Sequence, residues 1–283
     1  MDLTVVTVTW NSSELILEQL RSVVAGCQGI AFEQIVVDND SKDNTVALVR
    51  EHFPGVRLIA NAENKGFAAA NNQGAAIARG DFLLFLNPDM RVEAGSIFRM
   101  LSWMKARPEV GIASCKLVDE HGRLNEDAKP RRFPDWPDQL AIVLKWPHFW
   151  PGVLNRYLLK DFNADREQEV DSVRGSFLLM RRALTDKLGW AFDPRYYIWF
   201  EDVDICREAR RLGYRVVHTP IITCVDYVGQ SFKKQDTLWK QKQFTRSMLR
   251  YFKKWEPRWK WAILAASRPV GIALAWGHDK LKG

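Results

Sequence analysis

Cysteine is scarce in this 283-residue chain. The four present, Cys27, Cys115, Cys206 and Cys224, lie far apart with no CxxC pair. Such spacing excludes a disulfide-stapled scaffold and argues against a cysteine zinc site. No basic segment precedes the short apolar run in MDLTVVTVTWN, so the start does not read as a secretory leader. A reducing, cytoplasmic compartment is the expectation. Clean apolar runs of the about 20 residues needed to span a bilayer are missing too; the stretch 262–276 is interrupted by Ser267-Arg268-Pro269. Neither a phosphate-loop nor a dinucleotide-fingerprint glycine pattern occurs, so both of those nucleotide-binding readings fail. Internal repeats and low-complexity tracts are likewise absent. What remains is globular: 47% hydrophobic and 27% charged residues, enough chain for one large α/β domain or two small ones.

Charge is unevenly placed. Residues 233–283 carry 13 Lys/Arg against Asp236, Glu256 and Asp279, a net of +10, whereas the chain as a whole is +7. The body is therefore slightly acidic and the tail strongly basic, which points the tail at something anionic. Five of the twelve tryptophans, Trp239, Trp255, Trp259, Trp261 and Trp276, also lie there. Basic plus tryptophan-rich composition fits a membrane surface rather than nucleic acid. Phe244, Met248, Tyr251, Phe252, Trp255 and Trp259 fall at helical spacing on one face with basic residues interleaved, so this aromatic face is expected to meet a membrane, the alternative being a core-packing helix with a solvated basic face.

The first ninety residues alternate strand and helix signals. Leu3–Thr9 is a β-branched run, followed by a helix through about Ala25 that Ser13 could cap. Ile35-Val36-Val37 is a second strand, residues 44–52 a helix, and residues 56–60 a third strand. A small-residue helix opens at Asn64-Lys65-Gly66, and Phe82–Leu86 is a fourth strand ending at Asn87-Pro88-Asp89. This βαβ rhythm predicts a Rossmann-like, mostly parallel sheet with helices on both faces. Ligands then gather at the carboxyl ends of the strands, where Asn11, Asp38-Asn39 and Asn87-Pro88-Asp89 fall. Further on, strands are expected at residues 111–118, 173–180, 216–218 and 221–225, and a helix at 202–212. The stretch 130–151, with five prolines and three tryptophans, reads as an irregular loop with a short helix lying over the cleft.

Each candidate residue has two readings. Asp89 is either a turn aspartate or a rim carboxylate for Mg²⁺ or Mn²⁺, which prefer oxygen ligands. Glu201, Asp202 and Asp204 open a helix, where acidic residues offset the dipole. The aromatics before them would also desolvate them and favour a general base. Asp38 sits where a ligand could be hydrogen-bonded, while Ser41 or Asp43 caps the next helix. Asn64-Lys65-Gly66-Phe67 is a candidate anion site at a helix start. His218 and His52 read as structural.

In order along residues 3–232, these motifs resemble the inverting family 2 glycosyltransferases of the GT-A fold, in the bacterial rhamnosyltransferase-like branch. The resemblance is carried by Val6-Thr7-Val8-Thr9-Trp10-Asn11, Val37-Asp38-Asn39-Asp40-Ser41-Lys42-Asp43-Asn44-Thr45, Asn64-Lys65-Gly66-Phe67 and Asn71-Asn72-Gln73-Gly74. It continues through Gly80-Asp81, Leu86-Asn87-Pro88-Asp89, Gly175-Ser176-Phe177, Phe192-Asp193 and Glu201-Asp202-Val203-Asp204-Ile205-Cys206-Arg207.

The resemblance implies a nucleotide-binding half (1–90) and an acceptor and catalytic half (91–232); the composition beyond it adds a helical, membrane-associating tail (233–283). It places Thr9, Asn11, Asp38, Asn39, Lys65, Gly66, Asn71, Asn87, Gly175 and Glu201 on a nucleotide-sugar donor, with Asp38 reading the base. Asp202 matches the catalytic base, and Asp89 the last residue of the DXD-like motif that holds a divalent cation, Mg²⁺ or Mn²⁺. One departure stands out: where the branch has His in P-x5-H-x2-G-x-S, this chain reads PIITCVDYVGQS, putting Asp226 there. Aspartate can ligate a metal but, when ionised, cannot donate to a phosphate; His218 is a possible substitute. The expected function is inverting transfer of rhamnose from dTDP-rhamnose, or of a sugar from a UDP donor, to a surface glycan or its lipid-linked precursor. The expected place is the cytoplasmic face of the inner membrane, held peripherally. Rivals from other classes are a nucleotidyltransferase, which would need a Gly/Arg/Lys-rich signature absent at Trp10-Asn11-Ser12-Ser13, and an inactive sugar-binding scaffold.

Overall fold

The computed structural model describes residues 1–227 and 236–282. Gly229 and Ser231 of the departing motif, and the expected boundary at 232/233, lie outside the described residues. Nine strands form one mixed sheet: β1 (Leu3–Thr9), β2 (Phe32–Asp38), β3 (Arg57–Ala60), β4 (Phe82–Leu86), β5 (Met90–Val92), β6 (Val110–Val118), β7 (Gln168–Glu169), β8 (Phe177–Arg181) and β9 (Arg215–Asp226). Their order is β3-β2-β1-β4-β8-β6-β9-β5, with β7 beside β9. Pairing is parallel from β3 through β4, then antiparallel where β8 inserts between β4 and β6, and β5 and β7 also run antiparallel to β9. The parallel expectation therefore holds for the first half, and the second half is mixed.

The parallel half is legible in its chemistry. β4 is a continuous apolar run, and β1 and most of β2 are buried along their length, because helices cover both of their faces. α1 (Ile16–Gly26), α2 (Thr45–His52) and α3 (Phe67–Ile77) make the crossovers. Ser13 does not cap α1; the helix begins with Leu15 and Ile16 N–H groups on the Ser12 carbonyl. Asp43 does serve α2, accepting from Thr45 N–H at 3.1 Å. α3 opens at Gly66, whose φ of +85° and whose missing Cβ, which would lie 2.5 Å from the Tyr197 carbonyl, both demand glycine.

α4 (Ser96–Lys105), α5 (Trp136–Val143), α6 (Arg182–Leu188) and α7 (Glu201–Arg211) complete the body. The two short runs expected at 216–225 are one strand, β9. Its register against β6 jumps from Thr219 to Thr223, bulging out Pro220, which has no N–H for the ladder. α5 does not lie over the cleft as expected; it packs instead on the last two helices, α8 (Thr237–Trp255) and α9 (Arg258–Lys282).

α8 overturns part of the tail reading. Its Met248, Tyr251 and Phe252 are fully buried in the same core as Phe85, Phe192 and Ile205, with Phe244 and Trp255 packed against it. The aromatic face expected to meet a membrane is thus an interior face, because burying each large side chain stabilises by about 1.5–3 kcal/mol. Its charges turn inward too. Lys254 Nζ bridges Asp193 (3.1 Å), Asp204 (2.7 Å) and Glu208 (2.8 Å), and Trp255 Nε1 donates to Asp204 at 2.6 Å. Burial raises the Asp204 pKa against the pull of Lys254, whereas Arg195 and Lys254 overcome burial to hold Asp193 at about 2. Lys254→Met would leave buried Asp204 with no cation, while Asp193 keeps Arg195 and Glu208 keeps Arg211, and urea unfolding should register a loss of about 3–5 kcal/mol. A loss under 1 kcal/mol would show that the cluster reorganises around another cation.

Candidate active site

Parallel register brings the strand ends level: Thr9 stands opposite Asp38. Thr9 Oγ1 donates to Asp38 Oδ1 (2.9 Å), Ser41 Oγ to the same oxygen (2.5 Å), and Ser41 N–H to Oδ2 (2.9 Å). Three of about four acceptor positions are thereby filled, and Asp38 is only 2% exposed. Its neighbour Asn39 reaches the cleft wall instead, while also accepting from Lys65 N–H and donating to Asn64 and the Gly66 carbonyl.

The cleft, about 430 Å³, is walled by Thr9, Asn39, Gly66, Asn87, Asp89, Gly175, Glu201, Asp202 and Asp226 among the expected residues. Asn11, Asp38, Lys65, Asn71 and His218 do not line it. Asn11 joins two loops, its N–H on Ser41 Oγ and its Oδ1 accepting from Lys42 N–H. Lys65 is exposed, and Asn71 donates to the Phe67 carbonyl inside α3. His218 is buried on β9, edge-on to Phe162, with Nε2 at 2.9 Å from the Ala164 carbonyl. Burial lowers its pKa, so it is a neutral core histidine with no route to a metal in the cleft.

Asp202 is held from both sides. Its Oδ2 accepts from Gly175 N–H (3.2 Å) and its Oδ1 from its own following N–H, Val203 (2.8 Å). Glu201 beside it is buried, with Oε2 lacking any hydrogen-bond partner. Burial first, and the Asp202 charge second, push the Glu201 pKa well above the ordinary carboxylate range. The two adjacent carboxyl groups are thus set apart, Glu201 favouring the neutral acid. Trp199 and Phe200, just before them, have φ of +64° and +69°, a costly conformation for aromatic residues. The segment is pinned by Tyr197 carbonyl to Phe67 N–H (2.7 Å) and by Ser247 Oγ to the Ile198 carbonyl (2.7 Å).

Asp89 and Asp226 also line the cleft, brought together because Met90 pairs with Asp226 and Tyr227 N–H donates to the Asp89 carbonyl. Asn125 Nδ2 donates to Asp226 Oδ2 at 3.1 Å. Both carboxylates are under 10% exposed. Among the described residues no cluster of three or more His, Cys, Asp or Glu could hold an ion unaided. Two buried carboxylates on a cleft fit a Mg²⁺-type cation that takes its remaining oxygens from substrate phosphates and water.

The sequence reading missed Arg174, Tyr197, Trp199 and Trp239, all of which line the cleft. Arg174 directly precedes Gly175 and Trp199 nearly precedes Glu201, so proximity could have flagged both. Trp239 carries no local signal; α8 delivers it, with its ring 6.2 Å from Trp199 and 6.4 Å from Tyr197.

The profile of glycosyl transferase family 2 matches residues 4–189, and the chain belongs to that family. Among curated relatives, an N-acetylglucosaminyl-diphospho-decaprenol L-rhamnosyltransferase of Mycobacterium tuberculosis is 27% identical over 66% of this chain and 63% of its own length. Rhamnosyltransferase WbbL of Escherichia coli is 24% identical over 76% of this chain and 82% of its own. The chain spans only 26% of another relative, y4gI of Sinorhizobium fredii, at 27% identity. In structure it resembles the mannosyltransferase PcManGT of Pyrobaculum calidifontis, solved with GDP-mannose and Mn²⁺. The TM-score is 0.59 at 22% identity, covering 99% of this chain and 75% of that one. It also resembles TarS of S. aureus, solved with UDP-GlcNAc (TM-score 0.57, 18% identity, 88% and 65% covered). These likenesses show a GT-A fold.

Proposed function

We propose that the chain is a divalent-cation-dependent, inverting hexosyltransferase. It moves rhamnose from dTDP-rhamnose onto a surface glycan or its lipid-linked precursor, working peripherally at the cytoplasmic face of the inner membrane. The observation that carries this reading is Asp202, fixed by Gly175 N–H in a cleft that Asp89 and Asp226 also line. The two rhamnosyltransferase relatives support the donor; a UDP-sugar is the alternative within the same fold.

Asp202 takes the proton of an acceptor hydroxyl as that oxygen bonds to the anomeric carbon. The bond from that carbon to the nucleoside diphosphate breaks on the opposite side. One base and no nucleophilic carboxylate means a single displacement, hence inversion. Asp89 and Asp226 would hold Mg²⁺ or Mn²⁺, which when bound offsets the charge of the departing diphosphate. Arg174 adds positive charge to the same cleft, and neutral Glu201 avoids a second negative charge beside the base.

The acceptor would enter along Tyr197, Trp199 and Trp239, an aromatic wall on the Asp202 side. Trp239→Ala should raise the acceptor KM about tenfold, ~1.4 kcal/mol of lost stacking, while donor hydrolysis stays unchanged. A matching fall in donor hydrolysis would place Trp239 on the donor instead.

The reading as a whole is tested by incubating the protein with a panel of nucleotide sugars, with Mn²⁺ or with chelator, and measuring nucleoside diphosphate release. Release from one donor with Mn²⁺ supports transfer. Pyrophosphate chemistry would favour a nucleotidyltransferase, and binding without turnover an inactive scaffold.

A further inference from the structure

α9 runs for 25 residues, about 37 Å, straight through Pro269 rather than stopping there. Its inner face packs on the body: Leu264 and Ala275 are buried, and Gly271 seats so closely on Val143 that an added Cβ would lie 2.7 Å from its side chain. Its outer face is apolar. Trp259, Ala262, Ala266, Val270, Leu274 and Trp276 are exposed at steps of two to four residues, most of them three or four, along one side of the helix. The charged residues within this span turn away: Lys260 to Asp135 and Glu256, Arg268 to Thr245.

A second exposed apolar stretch, distant in sequence, follows α5, which packs on α9. α5 ends at Val143, in contact with Gly271, and Lys145 reaches Gln241 of α8 at 2.7 Å. Just past these contacts the chain displays Trp146, Phe149 (74% exposed), Trp150 (64% exposed) and Val153. Of the twelve exposed large apolar side chains among the described residues, eight belong to these two stretches. Soluble proteins scatter such residues singly; so concentrated an apolar face marks a binding surface.

We infer that this face, the outer side of α9 together with residues 146–153, seats the chain on an anionic bilayer with the helix lying in the plane of the headgroups. The charge favours lipid over a second copy of the chain. The last 51 residues carry a net charge of +10, which would repel its own image across a two-fold axis but attract anionic headgroups. Exposed Lys253 and Arg258 flank Trp259 at one end, and Lys280 lies 4.1 Å from the centre of the Trp276 ring at the other. Tryptophans at both ends of a small and aliphatic middle suit the boundary between headgroups and acyl chains. Among the described residues no helix is long and apolar enough to cross a membrane, so the face lies on the bilayer rather than spanning it. This deepens the peripheral placement proposed above by naming the surface that meets the lipid, and it replaces the buried face of α8.

Flotation of the full chain tests it, with vesicles of phosphatidylcholine alone or mixed with phosphatidylglycerol, at low and high salt. The wild type should rise with the mixed vesicles, and only partly leave them in high salt, because salt screens headgroup attraction but not apolar insertion. Phe149→Ser with Trp150→Ser, or Leu274→Ser with Trp276→Ser, should weaken partitioning at least tenfold. These side chains are exposed, so an unchanged melting temperature confirms that each variant is folded. A wild type that stays at the bottom with mixed vesicles at low salt overturns the inference. So does a dimer, seen by light scattering, that the same substitutions dissociate. Flotation needs neither donor nor acceptor, so a chain that floats without transferring sugar refutes the catalytic reading alone.

Discussion

Asp202→Asn should lower the transfer rate by about 10² to 10⁴-fold, the usual contribution of a positioned base, and leave nucleotide affinity within a few-fold of wild type. The amide keeps the shape and can still accept from Gly175 N–H, but it cannot take a proton. Glu201→Gln is the informative partner. Burial and the adjacent Asp202 charge push Glu201 up, so the folded protein keeps it protonated where a free carboxyl would ionise. Gln mimics that neutral acid and should retain most of the activity near neutrality. As pH rises through the raised pKa, wild-type Glu201 gains a charge beside Asp202 and in the path of the diphosphate, so the rate should fall. The Gln variant should lose that alkaline decline. Stability follows the same sign. The folded state holds a proton that the unfolded chain has released, so stability falls as pH rises from the ordinary carboxylate value to the raised one. The Gln variant should be flatter across that window. Near-normal turnover by Asp202→Asn together with collapse of Glu201→Gln would exchange the two roles.

What the sequence made legible, and what it did not, divides by the range of the interactions. β1 and β4 were read to the residue, since an apolar run bounded by Asn or Pro is a local signal. Of the cleft residues at strand ends, Asn39, Asn87 and Asp89 followed from fold logic, standing where the parallel half must place them, whereas Thr9 came from the family resemblance. Asp38 stands at the expected strand end, but its carboxylate is turned to its own loop for a local reason that sequence does not weigh. Ser41, three residues on, folds back and occupies both carboxylate oxygens. The antiparallel insertion of β8 was invisible, because Phe177–Arg181 looks the same whichever way its neighbours run. α8 was the largest misreading. Its period of apolar side chains was correct, but periodicity identifies a buried face without saying what buries it. Only the long-range contacts of Lys254 and Trp255 with Asp204 show that the catalytic body does. Those contacts also tie α8 to the helix that begins with Glu201 and Asp202, so the tail shapes the site from which the sequence reading had separated it.

Asp89→Ala should abolish the metal-dependent part of donor binding. Asp89 and Asp226 are the two carboxylates that the expected cation site offers, and β5 presents both through its pairing with β9. Isothermal titration with the nucleoside diphosphate shows the effect directly. Wild type should bind at least about 10-fold more tightly with Mn²⁺ than with chelator, the scale on which metal sites respond to losing even a supporting contact; the Ala variant should bind equally in both. The fold should survive, because the backbone bond from Tyr227 N–H to the residue 89 carbonyl does not involve the side chain. Asp226→Asn distinguishes ligand from scaffold. Its remaining carbonyl oxygen can still accept from Asn125, so loss of Mn²⁺ dependence in that variant without a fall in melting temperature marks Asp226 as a metal ligand in place of the family histidine. Should Asp89→Ala keep its full Mn²⁺ dependence, the cation is not held by Asp89, and the diphosphate charge falls instead to other groups lining the cleft, Arg174 among them.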